Sequence, residues 1–160
     1  MNKKILKKII AWGLFLLCGV MAVHRATAGE GGNVLSDEIK AALKSESYIY
    51  VATRRANGEW STAAQIWFMY DGEAVYFTTE PKSHKARRIQ RGSPVRIWVG
   101  RKDGPVFEGT AQFIKDTETV DRMGTVYSQK YWIAKLGLFR PRSARVTSGK
   151  TLAVKVMPGT

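Results

Sequence analysis

The sequence predicts a mainly β domain with helices, a small barrel of six antiparallel strands. Three observations lead there: short β-branched and aromatic runs follow one another closely, two of the gaps between them carry the hairpin dipeptides Asn57-Gly58 and Asp71-Gly72, and only two or three stretches show helical spacing. The 160 residues are 44% hydrophobic and 11% aromatic, which excludes a disordered or low-complexity chain and suits a single domain.

The chain opens with Lys3, Lys4, Lys7 and Lys8, then the apolar run Ile9 to Val23, then the small-residue step Ala26-Thr27-Ala28. This is the pattern of a secretory signal over 1–28, with Gly29 as the first mature residue. The alternative is an uncleaved membrane anchor, since Ile5 and Leu6 extend the apolar run. Either way the fold is expected outside the cytoplasm, periplasmic or extracellular. The segment holds five basic side chains and no acidic one, so it accounts for part of the formal +13 and leaves +8 for the rest. Its Cys18 is the sole cysteine, which removes disulfides and Cys-based metal sites from the mature domain.

Residues 29–35 are Gly-rich at their start and read as a flexible lead-in, and the folded domain is expected over 36–160. Ser36 caps a helix ending near Ser45, with Asp37 and Glu38 in its first turn and Ile39, Ala42 and Leu43 on its apolar face. The strands follow as Tyr48–Thr53, Ser61–Tyr70, Ala74–Thr79, Pro94–Gly100 and Val106–Ile114, with Lys102-Asp103-Gly104 turning between the last two. Between the third and fourth strands Ser83 caps a short basic helix, His84 to Arg91, stopped by Gly92, Ser93 and Pro94. A longer helix over about Thr117–Leu136 carries Val120, Met123, Tyr127, Tyr131 and Ala134 on one stripe. Residues 137–150 read as a basic loop, and Thr151–Met157 as the sixth, closing strand.

Chemistry concentrates at Thr78-Thr79-Glu80-Pro81-Lys82-Ser83-His84-Lys85, where hydroxyls, the first N–H groups of a helix and cations meet at a strand-to-helix junction. Such a corner suits a phosphate. A solvated basic face with Ser83 acting only as a cap explains the same residues. Other catalytic classes have little to build on. The chain has only His24 and His84, and neither a Gly-x-Ser-x-Gly nor a His-Glu-x-x-His pattern occurs. No metal site is expected. A basic barrel with aromatics also suits single-stranded nucleic acid or another polyanion, but export argues against nucleic acid.

One succession then stands out: strand, Asn57-Gly58 turn, strand through Ile66-Trp67-Phe68, Asp71-Gly72 turn, strand ending Phe77-Thr78-Thr79, Ser83-x-Lys85, and the Gly92-Ser93-Pro94 break. Over roughly residues 36–116 it resembles the flavin-binding split barrels of the pyridoxamine 5′-phosphate oxidase-like superfamily. The later helix with its Lys130-Tyr131 pair, basic loop and closing strand looks like the branch that includes deazaflavin-dependent reductases. The resemblance implies a split-barrel homodimer that binds FMN, or alternatively a deazaflavin coenzyme, and performs two-electron chemistry on a small molecule. It further implies that Thr78, Thr79, Ser83, His84 and Lys85 hold the flavin phosphate. The ring would lie along Ala63, Ala64, Gln65, Ile66 and Trp67, shielded by Trp67 and Tyr131. Haem binding and a non-catalytic cofactor- or polyanion-binding module remain open alternatives. Three departures matter: the closing strand Leu152–Met157 lacks the Arg-Leu-His substrate motif of true pyridoxamine phosphate oxidases, His84 replaces a common Arg, and Gln65 stands where many deazaflavin relatives have Pro.

Overall fold

The computed structural model describes residues 35–159, so the expected signal or anchor over 1–28 lies outside the described residues, as does all of the lead-in except Leu35, which is buried. The elements are α1 (Asp37–Ser45), β1 (Ile49–Thr53), β2 (Ala64–Ile66), β3 (Met69–Tyr70), β4 (Val75–Thr79), α2 (His84–Gln90), β5 (Val95–Val99), β6 (Val106–Ile114), α3 (Thr117–Lys130), α4 (Trp132–Lys135), α5 (Ser143–Thr147) and β7 (Leu152–Pro158). All pairings are antiparallel, in the order β2-β1-β5-β6-β7-β4-β3.

Among the described residues the sheet has seven strands where six were expected, because the run Ser61–Tyr70 divides in two. Its first part, β2, pairs with β1 at one edge of the sheet; its second part, β3, pairs with β4 at the opposite edge. Only Trp67 and Phe68 separate them, so the two edges must curl toward each other, and the sheet is a split barrel. Breaking a strand there leaves backbone groups without ladder partners, which is costly when buried. Two tyrosine hydroxyls supply partners. Tyr127 donates to the Trp67 carbonyl at 2.6 Å, and the Tyr131 hydroxyl accepts the Phe68 N–H at 3.1 Å while donating to the Ser47 carbonyl at 2.7 Å. The helix expected to run to Leu136 breaks for the same reason: Tyr131 adopts extended backbone (φ −122°, ψ 118°), and α4 starts afresh after it. The expected 137–150 loop also contains the short helix α5.

Residue alternation divides the core into two clusters. Val75 and Phe77 of β4, with Val154 and Val156 of β7, join Ile49, Val51, Phe68, Ile97 and Leu43 in the barrel core. Tyr76 and Ala153, one step out of phase on the same strands, pack instead with Val120, Met123, Tyr127 and Tyr131 under α3. The β3–β4 turn is held by Asp71, whose Oδ1 accepts the N–H groups of Glu73 and Ala74 and whose Oδ2 accepts the Tyr76 hydroxyl at 2.7 Å. These bonds keep its carboxyl below the usual carboxylate range in spite of its partial burial.

Where β6 crosses β7, Gly109 lies opposite Pro158, and a Cβ on it would stand 2.4 Å from the Met157 carbonyl oxygen. That oxygen is backbone and cannot yield cheaply, so Gly109→Ala is expected to destabilise the fold by about 1–3 kcal/mol. Thermal denaturation followed by circular dichroism reads this as a lowered Tm.

Candidate functional site

At the end of β4 the ladder stops with Thr79 opposite Leu152, and the chain turns through Glu80–Lys82 into α2. Ser83 caps α2, its Oγ accepting the Ala86 N–H at 3.1 Å, and the same hydroxyl lies 3.0 Å from Thr79 Oγ1. Two residues on, Lys85 is partly buried, its Nζ 5.6 Å from the centroid of the Phe77 ring. Burial pushes its amine down to about 8. Among the described residues no carboxylate forms an ion pair with it. An ammonium half withdrawn from water, with no anion of its own and two residues along the helix from the Ser83 hydroxyl, fits the phosphate of a bound cofactor.

The predicted corner does not hold together in full. His84 is exposed, its Nδ1 3.2 Å from the Arg87 guanidinium, and it opens onto a cleft of about 700 Å³ lined by Arg54, Arg55, Arg87, Arg88 and Arg91. Thr78 and Thr79 line a different cleft of about 860 Å³, together with Lys82, Phe139, Arg140, Arg142, Arg145, Lys150 and Thr151. The sequence pointed to a basic loop over 137–150 but gave no cue that the loop faces β4. That meeting follows from β4 pairing with β7, which begins directly after the loop.

The residues expected along the ring lie on and beside β2. Ala64 and Gln65 are exposed and Ala63 is half-buried. Because β2 is the last strand of the sheet, paired only with β1, its outer edge presents backbone groups with no ladder partner. Gln65 Oε1 accepts the Tyr50 hydroxyl at 3.2 Å. Trp67, one residue past the strand, stacks flat on Tyr131 with centroids 4.2 Å apart and planes 4° apart, and meets Tyr127 and Phe139 edge-on. The Tyr131 hydroxyl is pushed up to about 12, chiefly by burial, so it stays neutral. An unpaired strand edge beside a rigid aromatic stack matches a planar heterocycle with a polar rim. Among the described residues no group of His, Cys, Asp and Glu is placed to hold a metal, and no helix is long and apolar enough to cross a membrane.

Solved structures share the fold. An F420 reductase is similar with a TM-score of 0.55 at 23% identity, over 79% of this chain and 97% of its own. The haem storage protein HutZ of Vibrio cholerae gives 0.55 at 15% identity, over 79% and 91%. General Stress Protein 26 of Bacillus anthracis gives 0.55 at 19% identity, over 76% and 86%. No curated protein matches the sequence. The family profile described as pyridoxamine 5′-phosphate oxidase matches residues 35–157, which takes in every strand from β1 to β6 and nearly all of β7. With the curled antiparallel sheet in agreement, the chain belongs to the pyridoxamine 5′-phosphate oxidase family.

Proposed function

We propose that the chain is an exported, homodimeric flavoprotein that binds FMN and carries out two-electron chemistry on a small molecule. The observation that carries this reading is Lys85: a partly buried ammonium without an anionic partner among the described residues, in the first turn of the helix that Ser83 caps, in a family of flavin-type barrels. Lys85, Thr79 and Ser83 hold the phosphate, the outer edge of Ala63–Gln65 meets the polar rim of the ring, and the Trp67–Tyr131 stack excludes water from it. A bound flavin supplies hydride transfer, and the protein supplies orientation and a dry wall. A deazaflavin coenzyme is the second reading, favoured by the likeness to an F420 reductase and by the cations Arg140, Arg142, Arg145 and Lys150 that line the cleft beyond Thr79. The Lys-rich start followed by an apolar run supports export.

The pH dependence of binding tests the phosphate contact. Lys85 in the free protein loses its proton near 8, and an anion beside it raises that value in the complex. Binding therefore takes up a proton: affinity is fully present below about 8 and falls roughly tenfold per unit of pH above it, until the raised value is reached. The phosphate itself is fully ionised well above its second pKa of about 6, so titration calorimetry of FMN between about pH 7 and 9.5 follows the protein's amines. Burial also pushes Lys130, beside Phe68 and Tyr131, down to about 8, so the Lys85 variant is what assigns the change to Lys85. Lys85→Arg is expected to flatten the profile, since a guanidinium keeps its proton throughout. His84→Arg, on the other cleft, is expected to leave the profile as it is. A flat wild-type profile would remove Lys85 from the phosphate.

A further inference from the structure

Most large apolar side chains of the domain lie in its two core clusters, but one stretch departs from that rule. Trp132 is 71% exposed, Leu136 68%, Leu138 54% and Phe139 77%, four such residues within eight positions. Trp132 and Leu136 stand four apart and share one face of the α4 turn. Gly137 (φ +81°) then ends the turn, and Phe139 sits in the left-handed region (φ +56°), rare for a bulky residue.

Charge sets this stretch apart a second time. The last acidic residue of the chain is Asp121, and the 39 residues after it hold eight Lys or Arg and no Asp or Glu. Lys135, Arg140, Arg142, Arg145 and Lys150 are all exposed, and among the described residues none forms an ion pair. A second copy of the chain seated on this face would bring cation against cation, which disfavours self-association there. The carboxylates that approach this face are Glu80, which lines the same cleft as Arg140, Arg142, Arg145 and Lys150, and Asp121, which accepts the Ser143 N–H at 3.3 Å, so the five cations outnumber them. Exposed Trp, Phe and Leu within a predominantly cationic surround instead match the boundary of an anionic bilayer. There aromatic and aliphatic groups enter the acyl edge while Lys and Arg reach the headgroup phosphates.

We propose that Trp132–Phe139, with Lys135, Arg140 and Arg142, docks the domain on an anionic membrane surface. Leu138, Phe139, Arg140 and Arg142 also line the cleft that contains Thr78 and Thr79, so docking sets that cleft at the lipid boundary. The proposal does not depend on the phosphate contact at Lys85.

The test uses the full chain with acyl-brominated vesicles, either phosphatidylcholine alone or equal parts phosphatidylcholine and phosphatidylglycerol. Because the N-terminal apolar run could itself hold the chain on vesicles, the readout is quenching of Trp132 alone, isolated as the difference between wild type and Trp132→Phe. Strong quenching in the anionic vesicles is expected, several-fold less in the neutral ones. Arg140→Glu and Arg142→Glu should each weaken the vesicle dependence by about fivefold or more, with circular dichroism confirming an intact fold. Trp132 left unquenched in both vesicle types and open to acrylamide overturns the proposal. So does Trp132 shielded from acrylamide without lipid in a dimer that Leu136→Ser dissociates, since a second copy then covers the face.

Discussion

Lys85→Ala lowers the affinity for FMN by about 10- to 150-fold, the loss of one charge-assisted contact of roughly 1.5–3 kcal/mol. Lys102→Ala, which removes an equal charge from the exposed turn between β5 and β6, changes affinity by no more than about twofold, as screened surface charges do. The contrast rests on burial. Lys85 is withdrawn from water beside Phe77, so its field is weakly screened, and no carboxylate among the described residues competes for it. Riboflavin, which lacks the phosphate, should bind wild type and Lys85→Ala alike. Calorimetry with both ligands on both variants separates a lost phosphate contact from a damaged fold. Equal small losses for Lys85→Ala and Lys102→Ala would mean that the protein attracts anions diffusely and has no defined corner.

Tyr131→Ala is expected to destabilise the fold by about 3–5 kcal/mol, the range for removing a large buried side chain. Its ring is buried, stacks on Trp67 and meets Tyr127 edge-on, and its hydroxyl holds Ser47 and Phe68 together across the β2–β3 break. Tyr131→Phe keeps the ring and strands the Phe68 N–H and the Ser47 carbonyl, at a cost of about 1–3 kcal/mol. Urea denaturation should therefore order the variants wild type, Phe, Ala. It should also show Trp67→Ala and Tyr131→Ala to be less than additive, since both delete one stack. A Phe variant as stable as wild type would mean that water replaces the hydroxyl and that the strand break needs no tyrosine.

Local chemistry made much of this fold legible. Ser36 and Ser83 each accept the N–H three residues on at a helix start, and Asp71-Gly72 turns β3 into β4, as their sequence contexts predict. The break at Trp67–Phe68 was not legible, because Ser61–Tyr70 reads as one continuous β-prone run. What splits it is closure of the sheet, together with hydroxyls from residues 60 and 63 positions away. In sequence Tyr131 reads as one more residue of a helical stripe, yet its backbone leaves the helix to deliver that hydroxyl. At the site, the sequence placed Thr79, Ser83 and Lys85 at one junction. It could not show that His84, between two of them, opens onto an arginine-lined cleft, since neighbouring positions in the first turn of a helix face different directions.

The absorption spectrum of the purified chain after incubation with FMN and removal of unbound ligand tests the cofactor reading most directly. One bound flavin per chain, with its visible bands, is the expected result, and a deazaflavin spectrum under the same treatment would select the second reading. A chain that retains neither, or that takes up haem alone with a Soret band, contradicts it.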